Sequence, residues 1–270
     1  MKTYRLIIII VSAMLATLTA TAQRGDIDGD LQYAEYLVNN GKSALAYPEL
    51  NKIISQSPSS HFAYYLRALN YYNDGNAKSA LYDIDQALRR RPNCADYLAL
   101  KGDILTLSGK YGKAAEIYAK AVRDEDAPPQ RIYAAASAYM RDKDYANAAK
   151  YAERLLDLAP DSDSAKILAA EIFINDNNTT DALRIINTVA AHNAQFHRLR
   201  GIAYCKSQMN NYAIADLNAA LDIDPTMSDI YVWRGIAKYQ SGDRKGAHND
   251  WNVAVSKRQY EASNLLQKYR

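Results

Sequence analysis

The stretch YVWRGIAKYQSGDRKGAHNDW, residues 231 to 251, sets two small residues, Gly235 and Ala247, twelve positions apart around the turn residues QSGD. Trp251 follows Ala247 by one helical turn, so both halves read as helices with one buried stripe each. Arg234 then poses a question, because a lone charge in a buried stripe is costly to desolvate.

The arrangement recurs along the chain. Small residues stand at Ala34, Ala68, Gly102, Ala136, Ala170, Gly201 and Gly235, in steps of 34, 34, 34, 34, 31 and 34, and each has a second small residue twelve positions on. These partners are Ala46, Ala80, Ala114, Ala148, Ala182, Ala213 and Ala247. Three places after the first small residue comes a bulky one, Lys238 alone departing, and four after the second comes Leu50, Ile84, Tyr118, Ala152, Ile186, Leu217 or Trp251. Turn residues such as NDGN and LSGK separate the halves, and Pro58, Pro92, Pro160 and Pro225 close second helices. The reading is an antiparallel helix pair per repeat, with Gly or Ala where the backbones approach. A single pair cannot bury its apolar stripe, so the units must stack.

Arg234 finds its explanation in the same register. Arg67, Arg200 and Arg234 each precede a first small residue, and Asp83, Asp216 and Asp250 follow them by 16 positions. The other repeats lack both members, which predicts salt bridges Arg67 with Asp83, Arg200 with Asp216 and Arg234 with Asp250, within a repeat or to its neighbour, as structural locks.

This pattern resembles the tetratricopeptide repeat family over about residues 27 to 261, and AIADLNAALDIDP (213 to 225) is its closest copy. The resemblance implies an all-α fold, a right-handed α-solenoid of about seven helix-turn-helix repeats over residues 23–261, with a C-terminal capping helix over 262–270. Departures are Lys238, the missing Pro after the third, fifth and seventh units, and a fifth unit three residues short.

First helices of that family line the concave face, which implies a groove built from Leu31, Glu35 and Val38, then Phe62, Tyr65, Leu69 and Tyr72, then Asp96, Ala99, Asp103 and Thr106, then Tyr133, Ser137 and Met140. Later units would add Ile167, Glu171, Ile174, Arg198, Ile202, Val232, Ile236 and Tyr239, and helical periodicity selects the same face. The first half is aromatic and acidic, the second aliphatic. Partner binding is therefore expected at Glu35, Phe62, Tyr65, Leu69, Tyr72, Asp96, Asp103, Tyr133 and Met140. Some relatives hold a peptide carboxylate with Lys and Asn; the matching places here are Leu31, Glu35, Tyr65 and Leu69, so that specificity is not expected.

Residues 1–22 have a basic start at Lys2 and Arg5, an apolar run from Leu6 to about Leu18, and Ala20-Thr21-Ala22. That layout predicts a cleavable signal peptide and export to the periplasm or outside the cell, with no integral membrane segment after cleavage. Removing Lys2 and Arg5 leaves 31 basic against 30 acidic side chains, a balance that gives no footprint for nucleic acid. Cys94 and Cys205 lie far apart in the repeat order and are expected to stay unpaired. No metal site is expected from the four His, and DIDGDL from Asp26 lacks the Gly and Glu that a calcium loop requires.

No catalytic set or cofactor motif emerges from the sequence. The expected function is a non-catalytic interaction module or scaffold for a protein or peptide partner. The alternative is an enzyme subunit or hydrolase with its site at Asp96 and Asp103, seven residues apart on one helix face.

Overall fold

A computed structural model of the chain describes residues 27–269. The expected signal over residues 1–22 lies outside the described residues. Every regular element among the described residues is a helix.

Six helices make up a compact unit that ends at Asp124. These are α1 (residues 27–39), α2 (Ser43–Gln56), α3 (His61–Asn73), α4 (Ala77–Arg90), α5 (Ala95–Leu107) and α6 (Tyr111–Ala121). A second compact unit begins at Glu125. It holds α7 (Pro129–Arg141), α8 (Tyr145–Leu158), α9 (Asp163–Asn175), α10 (Thr179–Ile186), α11 (Ala194–Lys206), α12 (Asn210–Ile223), α13 (Ile230–Gln240), α14 (Arg244–Ser256) and α15 (Glu261–Lys268). Helices pair as the repeat predicts: three pairs in the first unit, four pairs and a terminal helix in the second.

The small residues sit where the helices of a pair meet, and all of them are buried. At Gly102 and Gly235 the reason is steric. A methyl group at Gly102 would come within 2.5 Å of the Tyr118 ring, and one at Gly235 would overlap the Trp251 indole. The ring 16 positions on therefore lies directly against glycine backbone, as close packing between helices requires.

Each first helix ends in a left-handed residue that satisfies the orphan carbonyls of its last turn. Gly41, Gly75, Gly109 and Gly242 fill this position, but Lys143, Asn177 and Gln208 do so with φ of 65°, 62° and 61°. The helices ahead of Pro58, Pro92, Pro160 and Pro225 stop two residues before each proline. In the short fifth repeat, α10 has only 8 residues. Its missing turn is replaced by a loop whose Ala190 and Ala191 N–H groups donate to the Asp163 carboxylate at 3.0 and 2.8 Å.

The terminal helix begins at Glu261, one residue before its expected start. Its Ala262 is fully buried in one cluster with Val232, Ala247, Trp251 and Ala254, and Leu265, Leu266 and Tyr269 pack on that cluster. It closes the apolar face that the last pair would otherwise leave open.

Candidate functional site

The three Arg–Asp pairs have bidentate geometry within their own repeats. Arg67 reaches the Asp83 oxygens at 2.6 and 2.9 Å, Arg200 those of Asp216 at 2.7 and 2.8 Å, and Arg234 those of Asp250 at 2.9 and 2.6 Å. The remaining guanidinium nitrogen turns to the preceding repeat, where Arg67 and Arg234 donate to Asn51 and Asn218 at 2.6 and 2.7 Å. Each Arg thus ties its own helix pair and the neighbouring one, using the fork geometry that Lys lacks. Lys238, the one exception among the bulky positions, places its Nζ 2.9 Å from Asp250 and gives that buried carboxylate a second cation. In the third repeat, where Ile117 replaces the acid, Lys101 pairs with Asp85 of the preceding repeat at 2.8 Å.

In the first unit, the first helices bring together part of the expected partner-binding set. The Phe62 and Tyr65 rings stack at 5.9 Å, and Tyr65 stacks on Tyr97 of α5 at 4.7 Å. Tyr97 is buried and hydrogen-bonded to His61 Nδ1 at 2.7 Å, and burial pushes its phenol up to about 12. Tyr65 and Leu69 are half-buried and pack against both apolar clusters of the unit, so they join repeats as well as facing outward. Glu35 on α1 and Tyr72 on α3 are also half-buried, whereas Asp96 is exposed in the first turn of α5.

Asp103 is the best-defined acidic group of this face. Tyr118 donates its hydroxyl to Asp103 Oδ1 at 2.5 Å. Burial raises the Asp103 carboxyl above its ordinary range, the Tyr118 hydrogen bond opposing, and Tyr72 is raised by burial and by the Asp103 charge. Neither Asp103 nor Glu35 faces a cation in an ion pair among the described residues.

Tyr133 and Met140, expected in the same site, belong to the second compact unit, so the expected set is divided at the connection Val122–Pro128. Tyr133 is 39% exposed and lines a cavity of about 280 Å³ with Pro129, Leu155, Ala159 and Ala165. The aliphatic residues expected along the later groove need correction. Ile174, Ile202 and Val232 are buried, as is Val38 in the first unit. The first helices α9, α11 and α13 pack on one another, Val232 joins a cluster with Trp251 and Ala262, and Val38 one with Leu50 and Leu66. Charge on this part of the second unit is compensated internally: Arg198 contacts Asp229 at 2.6 Å and Glu171 at 3.6 Å.

Sequence reasoning passed over Tyr97 and Tyr118. The second had a signal, because Tyr118 is the one hydroxyl-bearing residue at a position that is otherwise apolar in every repeat. Arg90, within the basic run RRRP, donates to the carbonyls of Gln86 and Pro58 and lies over the Tyr64 ring, a helix-closing role. Both cysteines are free thiols, and burial pushes that of Cys205 up to about 11. Among the described residues no group of His, Cys, Asp or Glu could hold a metal ion, and no helix is long and apolar enough to cross a membrane.

Comparison with known proteins agrees with this architecture. Two family models described as tetratricopeptide repeat match residues 65–131 and 139–202. A tetratricopeptide repeat protein from Parabacteroides merdae superposes with a TM-score of 0.63 at 19% identity, over 90% of this chain and 98% of that one. The C-terminal part of a repeat-containing protein from Cytophaga hutchinsonii gives 0.64 at 15% identity, over 87% and 98%. DnaJ homolog subfamily C member 3 of Rattus norvegicus is 23% identical over 221 residues, which is 82% of this chain and 40% of the relative. The chain thus spans less than half the length of that relative.

Proposed function

The chain belongs to the tetratricopeptide repeat family, and on that premise we propose that it is a non-catalytic scaffold that holds a segment of a protein partner against the first helices of residues 27–124. Repeats of this kind are protein-interaction modules. The observation that supports the choice of face is that Glu35 and Asp103, neither in an ion pair among the described residues, lie on first helices of the same unit whose Phe62, Tyr65 and Tyr97 rings stack. Rings bury large area with few rotatable bonds and serve as anchors, while fixed acidic charge speeds encounter with a basic partner. A segment with apolar side chains and Lys or Arg suits such a face. The basic start, apolar run and Ala20-Thr21-Ala22 of residues 1–22 support a site of action in the periplasm or outside the cell, and the first residue of the mature protein, read by N-terminal sequencing, is expected to be Gln23.

Photo-crosslinking in intact cells tests the proposal. A photoreactive residue at Tyr72 should capture a protein partner, and capture should weaken with salt. The same residue at Tyr212, exposed on α12, should capture none. Equal adducts at both positions, or none at Tyr72, would reject this face.

The second reading, catalysis by Asp96 and Asp103, has one observation in its favour, the raised Asp103 carboxyl. Burial accounts for that shift. Seven residues along a helix rise about 10 Å, wider than the roughly 5 to 9.5 Å at which two carboxylates flank one glycosidic bond. The interaction reading is the stronger.

A further inference from the structure

We propose that Asp103, Tyr72 and Thr106 form a subsite for the side-chain cation of a Lys or Arg carried by the protein partner. The inference rests on the interaction reading above and reduces it to one contact.

The subsite is built by the repeat itself. Gly102 leaves room for an aromatic ring against its backbone, and in this repeat alone the ring carries a hydroxyl at its far end. That hydroxyl, of Tyr118, reaches the residue next to the glycine and fixes Asp103 through Oδ1, leaving Oδ2 with no hydrogen bond among the described residues. Thr106 follows Asp103 by three positions and so shares its helix face. It lies beside the Tyr118 phenol, within reach of its hydroxyl, and its Oγ1 is buried. Tyr72 stands across from the preceding first helix, close enough to feel the Asp103 charge.

The Asp103 carboxyl, fixed by Tyr118 and flanked by Tyr72 and Thr106, thus makes a partly desolvated acidic site with no ion-paired cation among the described residues. A buried oxygen left unpaired costs free energy, and a carboxylate away from water gains more from a donor than an exposed one does. An ammonium brings three donors and a guanidinium five, so either can satisfy several of the site's oxygens at once. A carboxylate would be repelled, and an uncharged alkyl chain would leave the oxygens unmet. In the second unit Arg198 already contacts Glu171 and Asp229, so the chain supplies there the cation that this site lacks.

The test uses the intact protein and three fluorescent twelve-residue peptides with Leu at the same places and Lys, norleucine or Glu between them, followed by anisotropy. The Lys peptide should bind about tenfold more tightly than the norleucine peptide, the gain of one charged hydrogen-bonded contact. Asp103→Asn keeps an oxygen for the Tyr118 hydroxyl and should abolish that preference without weakening the norleucine peptide. Tyr72→Phe keeps the ring and should reduce the preference in part, while Asp157→Asn, at an exposed site in the second unit, should leave it intact. Equal binding of the Lys and norleucine peptides, or a preference that survives Asp103→Asn, would overturn the subsite and leave the interaction face standing. Binding of none of the three would overturn both.

Discussion

The two compact units treat charge on their first helices in opposite ways. In the second, Arg198 lies between Glu171 and Asp229, and the aliphatic side chains Ile174, Ile202 and Val232 are buried. In the first, Glu35 and Asp103 form no ion pair among the described residues, and Phe62 and Tyr65 of the same unit are only half-buried. One repeat pattern therefore yields a self-satisfied face and a face that still lacks a counterpart. The contrast is chemical, since the helix pairs and their small residues are alike in both units.

The largest expected effect concerns the Arg–Asp locks. Asp250→Ala would strand both Arg234 and Lys238 and should destabilise by about 3 kcal/mol or more, as for a buried pair that loses one partner. Asp83→Ala strands Arg67 alone and should cost less. Urea unfolding of both variants gives the comparison, and equal losses would show that Lys238 adds nothing to its lock. Charge reversal at Arg234 should be partly rescued by the reverse change at Asp250, whereas simple additivity would deny their coupling.

Binding should separate the units next. With a partner in hand, Tyr65→Ala should weaken the complex by about 2 kcal/mol if Tyr65 is an anchor. Tyr239 of the second unit packs on Trp251 and Tyr269, and Tyr239→Ala should matter little for binding. Equal losses measured by calorimetry would erase the functional difference between the faces.

A smaller effect is expected from packing. Gly102→Ala forces the Tyr118 ring aside and should cost about 1–2 kcal/mol, within the usual range for overpacking. Gly201→Ala meets the more adaptable Leu217 side chain and should cost less. Thermal melts of the two variants test the order. In the opposite direction, Lys143→Gly relieves a left-handed backbone and should stabilise by about 0.5–1 kcal/mol, while Gly75→Lys at the equivalent turn of the first unit should destabilise.

The mildest contrast is in pH dependence. The folded Asp103 carboxyl is raised, so the folded state binds its proton more readily than the unfolded chain and stability falls as pH rises through that range. Asp103→Asn should remove this loss, so the variant gains relative to the native chain on going from acid to neutral pH. Asp163 is lowered by the Ala190 and Ala191 N–H groups, so its contribution is present above the ordinary carboxylate range and lost as pH falls through its lowered value. Asp163→Asn should therefore lose relative stability on going to neutral pH. Stability curves of the same sign for both variants would contradict the opposed environments.

By itself the sequence determined the helix pairs, their period and the places where backbones meet, because these depend on residue size at fixed spacing along one chain. It determined the Arg–Asp pairs as well, since a fixed separation of 16 residues recurs only where both members are present. Only the tertiary structure decided which of the expected groove residues stay accessible. Val38, Ile174, Ile202 and Val232 have the right periodicity but are buried, Val232 against α14 and α15, and periodicity within one helix carries no information about what packs on it. The roles of Lys238, Tyr97 and Tyr118 were decided there too. Each depends on a side-chain tip meeting a group on another helix: Asp250 for Lys238, Tyr65 and His61 for Tyr97, Asp103 for Tyr118. A repeat pattern places a Cβ, and the atom several bonds beyond it finds its partner only when the helices are packed.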